Sequence, residues 1–101
     1  MGNEKRIEKQ ASDSEGRYAG RIDGVEGEAE LTFTVQGPSV ISADHTGVPD
    51  SMRGTGMGLA LVETMIADAR SSGFKIIPLC PYVAAQFKKH PDWQDVMAAA
   101  T

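Results

Sequence analysis

The sequence predicts a mixed α/β (α+β) domain, in which three antiparallel strands are followed by a β-α-β-α unit with one parallel strand pair. The first observation is an alternation of apolar and polar residues over 28–36, where Leu31, Phe33 and Val35 point to one side. The second is a recurrence of apolar residues at helical spacing from Leu59 to Ala69. Alternation is typical of a half-buried strand, and the helical period is typical of a helix that packs on a sheet.

The element order predicts where the sheet changes from antiparallel to parallel pairing. A helix joins the third and fourth strands, and such a crossover makes these two strands parallel. Gly73 is expected to end this helix, Pro81 to begin the next one and Asp92 to cap a short last helix. The expected strands cover residues 17–22, 28–36, 40–46 and 74–79.

Size and composition fit one small domain with a flexible tail. The chain has 101 residues, a net charge of -4 and 41% hydrophobic residues. Residues 1–14 contain few apolar side chains and are expected to form a flexible N-terminal tail, which leaves residues 15–101 as the single domain.

Charge, hydropathy and cysteine content limit the partners and the compartment. The negative charge argues against a nucleic-acid interface, and no apolar run is long enough to cross a membrane. A lone cysteine, Cys80, excludes an internal disulfide, and two distant histidines do not complete a metal site. A free thiol without an apolar leader sequence predicts a cytoplasmic protein.

A glycine-rich loop at residues 53–58 lies between the third strand and the helix. Its three alternating glycines, Gly54, Gly56 and Gly58, allow a tight turn that brings several backbone N–H groups close to a ligand. The start of the helix adds free donors and a partial positive charge, a combination suited to phosphate. A Walker-type loop is excluded because Leu59 replaces the required lysine, and the glycine spacing does not fit the dinucleotide fingerprint.

The loop resembles the acyl-CoA signature of the GNAT superfamily of N-acetyltransferases, Arg/Gln-x-x-Gly-x-Gly/Ala. Arg53, Gly56 and Gly58 occupy its fixed positions. Four blocks in order resemble, more closely, a family of very small single-domain proteins of GNAT-like fold, over about residues 17–96. These blocks are His45-Thr46-x-Val48-Pro49, Arg53-Gly54-x-Gly56-x-Gly58-x-x-Leu61, Pro78-x-Cys80-x-Tyr82-Val83 and His90-Pro91-x-Trp93.

The resemblance implies an acyl-CoA-dependent N-acetyltransferase, with acetyl-CoA as acyl donor and an unidentified amine, on a small molecule or a protein, as acceptor. Full-length superfamily members build the acceptor pocket from helices between their first two strands. Here only residues 23–27 separate those strands, so that part is missing. The alternative is therefore a non-catalytic acyl-CoA-binding or sensing module that acts with a protein partner.

Three side chains near the expected thioester are candidates for catalysis. His45 suits a general base, although it is expected on the apolar face of its strand with Ile41 and Ala43, where it could equally be a packed core histidine. Cys80 is a candidate acyl-site thiol or second base, or else a small buried hydrophobe. Tyr82 is a candidate acid for the leaving thiolate, or else a packing residue.

The expected cofactor-binding residues belong to the end of the third strand and to the loop. Backbone N–H groups around residues 46–48 could polarise the thioester carbonyl, and those of the loop could hold the pyrophosphate. No metal ligand is expected. The cofactor-binding set is Thr46, Val48, Arg53, Gly54, Thr55, Gly56, Met57 and Gly58.

Overall fold

The computed structural model describes residues 4–98, which form a five-stranded sheet with helices packed on one face. The strands lie side by side in chain order. Neighbouring strands are antiparallel except the last two, which are parallel. The predicted α/β fold class is thus confirmed. The strands are β1 (Lys5–Ala11), β2 (Glu15–Ile22), β3 (Ala29–Gly37), β4 (Val40–Gly47) and β5 (Lys75–Pro78).

Two α-helices follow the antiparallel strands, α1 (Met57–Ser72) before β5 and α2 (Pro81–Lys89) after it. Gly73 ends α1 in a left-handed conformation, with φ of 81°, and its N–H donates to Ala69. Pro81 begins α2, as predicted. The expected cap at Asp92 is wrong, because the short 3₁₀ helix Pro91–Val96 already includes Asp92 and has His90 at its cap position.

The expected flexible tail over residues 1–14 is wrong for the part that the structure describes. β1 pairs along its whole length with β2, from Lys5 opposite Ile22 to Ala11 opposite Gly16. The sequence pattern did not reveal this strand because most of its residues are polar or charged. An edge strand needs few apolar side chains. The sheet therefore begins with four antiparallel strands rather than three.

The core lies between the sheet and the two helices. Alternate residues of the strands, among them Tyr18, Leu31 and Phe33, pack against α1 in one continuous cluster. Val83 and Phe87 of α2 belong to the same cluster, so both helices cover the same face of the sheet. We call the opposite side of the sheet the open face; it carries Arg17, Glu30, Thr32, Thr34, Ser42, Asp44 and His45.

A β-bulge in β4 decides which residues reach the open face. Thr32 pairs with His45, but Phe33 pairs with Ala43, so Asp44 is an extra residue without an opposite partner. One extra residue reverses the alternation, which places His45 beside Thr32 on the open face. The expectation that His45 shares the apolar face of Ile41 and Ala43 is therefore wrong.

The parallel strands separate at one end. The last pair joins Ala43 to Pro78, and β4 continues for four residues beyond it. The N–H of Cys80 donates to the carbonyl oxygen of Ala43 at 2.8 Å, and the chain then turns into α2. A gap thus opens between the end of β4 and the start of α2, next to the glycine-rich loop.

The two outer strands of the sheet have different neighbours. β5 is covered on its outer side by the end of the described chain, where Met97 bridges Ile76 and the N–H of Ala98 donates to the carbonyl of Ile76. Within the described part of the chain, β1 pairs with β2 on one side only.

Candidate functional site

A cleft of about 380 Å³ lies beside the start of α1, at the gap between β4 and α2. The loop forms one wall, the end of β4 a second and α2 a third. Leu59 and Met52, which were not predicted from the sequence, add apolar surface to the cleft. The lining residues are Thr46, Val48, Met52, Arg53, Gly54, Gly56, Met57, Gly58, Leu59 and Tyr82.

Two glycines in the loop have backbone conformations that other residues rarely adopt. Gly54 has φ of 77° and Gly56 has φ of 83°. Between them, Thr55 folds back, since its hydroxyl donates to the carbonyl of Met52 and accepts the N–H of Met57. Thr55 therefore stabilises the loop from inside. It was expected among the cofactor-binding residues, but it does not line the cleft.

Several backbone N–H groups of this loop are free to bind a ligand. Within residues 4–98, no protein acceptor is bonded to the N–H of Gly54, Gly56, Gly58 or Leu59, and all four residues line the cleft. Free donors of this kind, at the positive end of a sixteen-residue helix, form an anion-binding site. The residues present thus suit a phosphate or pyrophosphate group.

Tyr82 extends from the first turn of α2 to the start of α1. A Cβ added to Gly58 would lie 3.1 Å from the Tyr82 hydroxyl oxygen, so the absence of a side chain at position 58 admits the ring. Burial, and then the negative charge of Glu63, raise the pKa of Tyr82 above its ordinary value. Tyr82 therefore keeps its proton at neutral pH and can donate it within the cleft.

Cys80 is the N-cap residue of α2 and lies behind Thr46 as seen from the cleft. Its side chain is buried, and Sγ lies 3.4 Å from the hydroxyl oxygen of Thr46. Burial raises the pKa of the thiol. Hydrogen bonds from Thr46 and from the N–H groups of Val83 and Tyr82 lower this pKa by more than burial raises it, so the pKa lies below its ordinary value. The local structure thus makes this thiol easier to ionise than an ordinary cysteine.

Both the sequence and the fold are similar to those of known proteins. The family model described as GCN5-related N-acetyl-transferase matches residues 17–96, most of the chain. The chain belongs to this family. The GCN5-related fold is also seen in the solution NMR structure of a GCN5-like protein from Staphylococcus aureus, which is 28% identical, with a TM-score of 0.69 over 100% of this chain and 94% of that one. No curated protein gave a significant match.

The GCN5-related fold brings most of the predicted site residues together but leaves three outside the cleft. Seven of the eight expected cofactor-binding residues and Tyr82 line it. His45 is exposed on the open face, where its Nε2 lies 3.4 Å from a Cβ added to Gly47. Cys80 is separated from the cleft by Thr46, and Thr55 lies within the loop.

Arg53 has a different surrounding from the other residues of the GCN5-related signature. Its side chain is 79% exposed and pairs with Asp50, at 3.0 Å between Nε and Oδ1. An exposed pair of this kind contributes little to stability, so the guanidinium can exchange Asp50 for another anion. Sequence reasoning missed Met52 and Leu59, whose apolar character gave no signal beyond core packing.

Neither helix within residues 4–98 is long and apolar enough to span a bilayer. Over the same range, no three His, Cys, Asp or Glu side chains are arranged to hold a metal ion.

Proposed function

We propose that this protein transfers an acetyl group from acetyl-CoA to an amine. The observation that carries the proposal is the set of four unbonded N–H groups on Gly54, Gly56, Gly58 and Leu59 beside one cleft. Together they provide donors for the pyrophosphate of the donor substrate, and Arg53 adds an exposed positive charge. Family membership supports this choice of ligand over other phosphates.

The end of β4 suits the position of the thioester. β4 continues beyond its last pair with β5, so this segment borders the gap beside the cleft. Backbone N–H groups at residues 46–48 would bind the carbonyl oxygen as negative charge develops on it. The acyl group would then lie beside Thr46, with Tyr82 on the α2 side.

The transfer itself requires two proton movements. The amine nitrogen forms a bond to the carbonyl carbon as the carbon–sulfur bond breaks, and the thiolate leaves with the bonding electrons. Tyr82 would supply the proton to that sulfur, and His45 would accept the proton from the amine on the open-face side. A thiolate is a good leaving group, so positioning supplies much of the acceleration.

Cys80 would act as an acyl-site thiol or as a second base. The amides at the start of α2 and the Thr46 hydroxyl favour its ionised form, as a nucleophile requires. As an acyl carrier, the Cys80 thiolate would attack the carbonyl carbon and release the CoA thiolate, and the amine would then displace Cys80. Thr46 would have to rotate to admit the acyl group.

Calorimetric titration with acetyl-CoA tests the donor site. We expect Gly58→Asp to weaken binding about 100-fold, because a carboxylate would face the pyrophosphate in a partly desolvated cleft. Gly58→Ala is the matched control: it adds the same Cβ against Tyr82 without the charge, and should cost far less affinity. Equal affinities for Gly58→Asp and the unaltered protein would refute the loop assignment.

The alternative function is a non-catalytic acyl-CoA-binding module. It is favoured by the short connection between β2 and β3, since no helix within residues 4–98 lies over the open face to enclose an acceptor. Release of free CoA thiol in the presence of an amine panel separates the two functions. Tight binding of acetyl-CoA without turnover of any amine would favour the module.

A further inference from the structure

The open face carries a broad cavity that the donor site does not use. The cavity measures about 540 Å³, larger than the acetyl-CoA cleft, and opens widely to solvent. It lies across β1, β2, β3 and β4, and no helix of residues 4–98 covers it. Gln10, Glu15, Arg17, Thr32, Thr34 and Asp44 border it.

Asp44 is held in this cavity by hydroxyl groups rather than by a cation. The Ser42 hydroxyl donates to one carboxylate oxygen at 2.7 Å, and the Thr34 hydroxyl donates to the other at 2.5 Å. In the described range, 4–98, Asp44 forms no ion pair. Both oxygens are thus oriented, and the negative charge is still available to a cation from outside.

The bulge connects this carboxylate to the proposed reaction site. Because Asp44 is the extra residue of β4, Asp44 and His45 are consecutive and both exposed, while Thr46 returns to the cleft side. Bulges often redirect side chains beside active sites. A molecule bound at Asp44 is therefore adjacent to His45. Thr46 is the next residue along β4.

The surrounding charges favour a cationic ligand. Among the described residues, Arg17 is the one cation on the border of the cavity. Its guanidinium already binds both Glu28 and Glu30, at 2.9 and 3.0 Å. Glu15 and Asp44 have no such partner in the part of the chain that the structure describes. Carboxylates therefore outnumber cations, which attracts amines in their charged form.

We propose that the open face around Asp44 binds the acceptor, and that this acceptor is a cationic segment of a polypeptide. Small-molecule sites enclose most of their ligand, whereas this cavity is shallow and lies on an uncovered sheet. A flexible segment carrying lysine side chains can lie across β2, β3 and β4, pair one ammonium with Asp44 and present another amine at His45. The inference rests on the proposed acetyl transfer.

Peptide binding tests this inference without requiring any turnover. The probe is a fluorescent twelve-residue peptide of Gly, Ser and Lys, with a Gln-for-Lys peptide and spermidine as comparisons. We expect Asp44→Asn to weaken anisotropy-detected binding of the Lys peptide about fivefold, the effect of one exposed ion pair. Asp92→Asn, on the 3₁₀ helix outside this face, removes the same charge and should leave affinity unchanged.

The same variants separate this inference from the proposed function. If transfer occurs, Asp44→Asn should raise KM for the Lys peptide and leave kcat and acetyl-CoA affinity near their original values. Asp44-dependent peptide binding without any transfer would support the docking site and contradict the enzyme. Equal peptide affinity in Asp44→Asn and Asp92→Asn, or tighter binding of spermidine than of the peptide, would overturn the docking site even if acetyl transfer were established.

Discussion

The hydroxyl of Thr46 lies between the cleft and the Cys80 thiol. Thr46 lines the cleft, whereas Cys80 is buried and is 4% exposed. The same hydroxyl hydrogen-bonds to Sγ at 3.4 Å, so a single side chain both shields the thiol and stabilises its ionised form. Whether the thiol reacts depends on this contact as much as on the cysteine itself.

Thr46→Val should raise the pKa of Cys80, because valine keeps the shape of threonine but cannot hydrogen-bond to the thiolate. The pKa of Cys80 lies below its ordinary value of 9.0, so the thiolate persists to lower pH than in an unfolded chain. We expect the pH midpoint of iodoacetamide alkylation to lie below 9.0 and to rise in the variant. Thr64→Val, which removes a hydroxyl elsewhere, is the control; an unchanged midpoint in Thr46→Val would contradict the role assigned to Thr46.

Among the elements, β1 is attached to α1 through one carboxylate. Asp68 accepts hydrogen bonds from the Lys9 ammonium and from the buried Tyr18 hydroxyl, both at 2.7 Å. The Lys9 ammonium also lies within 6 Å of the rings of Tyr18, Phe33 and Phe74. A long-range polar contact of this kind holds in place a strand that has few apolar residues of its own.

Asp68→Ala should lower the free energy of unfolding by about 1–3 kcal/mol, because the buried Tyr18 hydroxyl loses its acceptor. Burial raises the pKa of Asp68, but the bonds from Lys9 and Tyr18 lower it to below its ordinary value of 3.8. The stabilisation by the carboxylate is therefore complete above pH 3.8 and is lost as the pH falls through the lower folded-state value.

Denaturant titrations at neutral and acidic pH measure this effect. The difference between Asp68→Ala and the unaltered protein should shrink as the solution becomes more acidic than the folded-state pKa. Glu63→Ala, on the exposed side of the same helix, should show neither the loss nor its pH dependence. A difference that stayed constant with pH would mean that the ionised carboxylate is not what attaches β1.

The sequence predicted those elements that local pattern determines. The alternation over β3, the helical spacing of α1 and the cap at Gly73 all correspond to the structure. β1 was missed because its strand character comes from pairing with β2, a long-range contact that leaves no apolar alternation. The bulge was missed because the extra residue, Asp44, is recognisable only in the register with β3.

The residues of the candidate site also divide into those that the sequence could predict and those that it could not. The glycine loop could be predicted because its backbone conformation demands glycine at positions 54 and 56. Tyr82 and Thr46 could be placed beside it through the resemblance. The shielding of Cys80 and the turning of His45 to the open face depend on how β4 and α2 are packed, and no local pattern encodes that packing.

At the scale of the whole molecule, β2 is in direct contact with the residue that begins α1. A Cβ added to Gly20 would lie 2.6 Å from Met57 Sδ and 3.3 Å from a methyl carbon of Leu61. Met57 is 1% exposed and belongs to the core, so an added atom at Gly20 would have to displace its side chain. The position of the glycine loop is thus linked to the centre of the sheet.

Gly20→Ala should therefore impair both the fold and the ligand site. Overpacking against Met57 is expected to cost about 1–3 kcal/mol of unfolding free energy and to shift the start of α1. We expect acetyl-CoA affinity to fall in the same variant, measured by calorimetry well below its melting temperature. Gly37→Ala, where an added Cβ meets nothing within 4 Å, is the control; unchanged affinity in Gly20→Ala would mean that the loop is independent of the sheet.

The two edges of the sheet also affect how copies of this protein meet at high concentration. An incoming strand finds β5 already hydrogen-bonded to residues 97 and 98, and at β1 it meets Lys5, Arg6, Glu8 and Lys9. Charged edge strands disfavour the lateral growth that leads to fibrils, since each added copy would have to desolvate those charges. The residues that made β1 look unstructured thus protect the protein from aggregation.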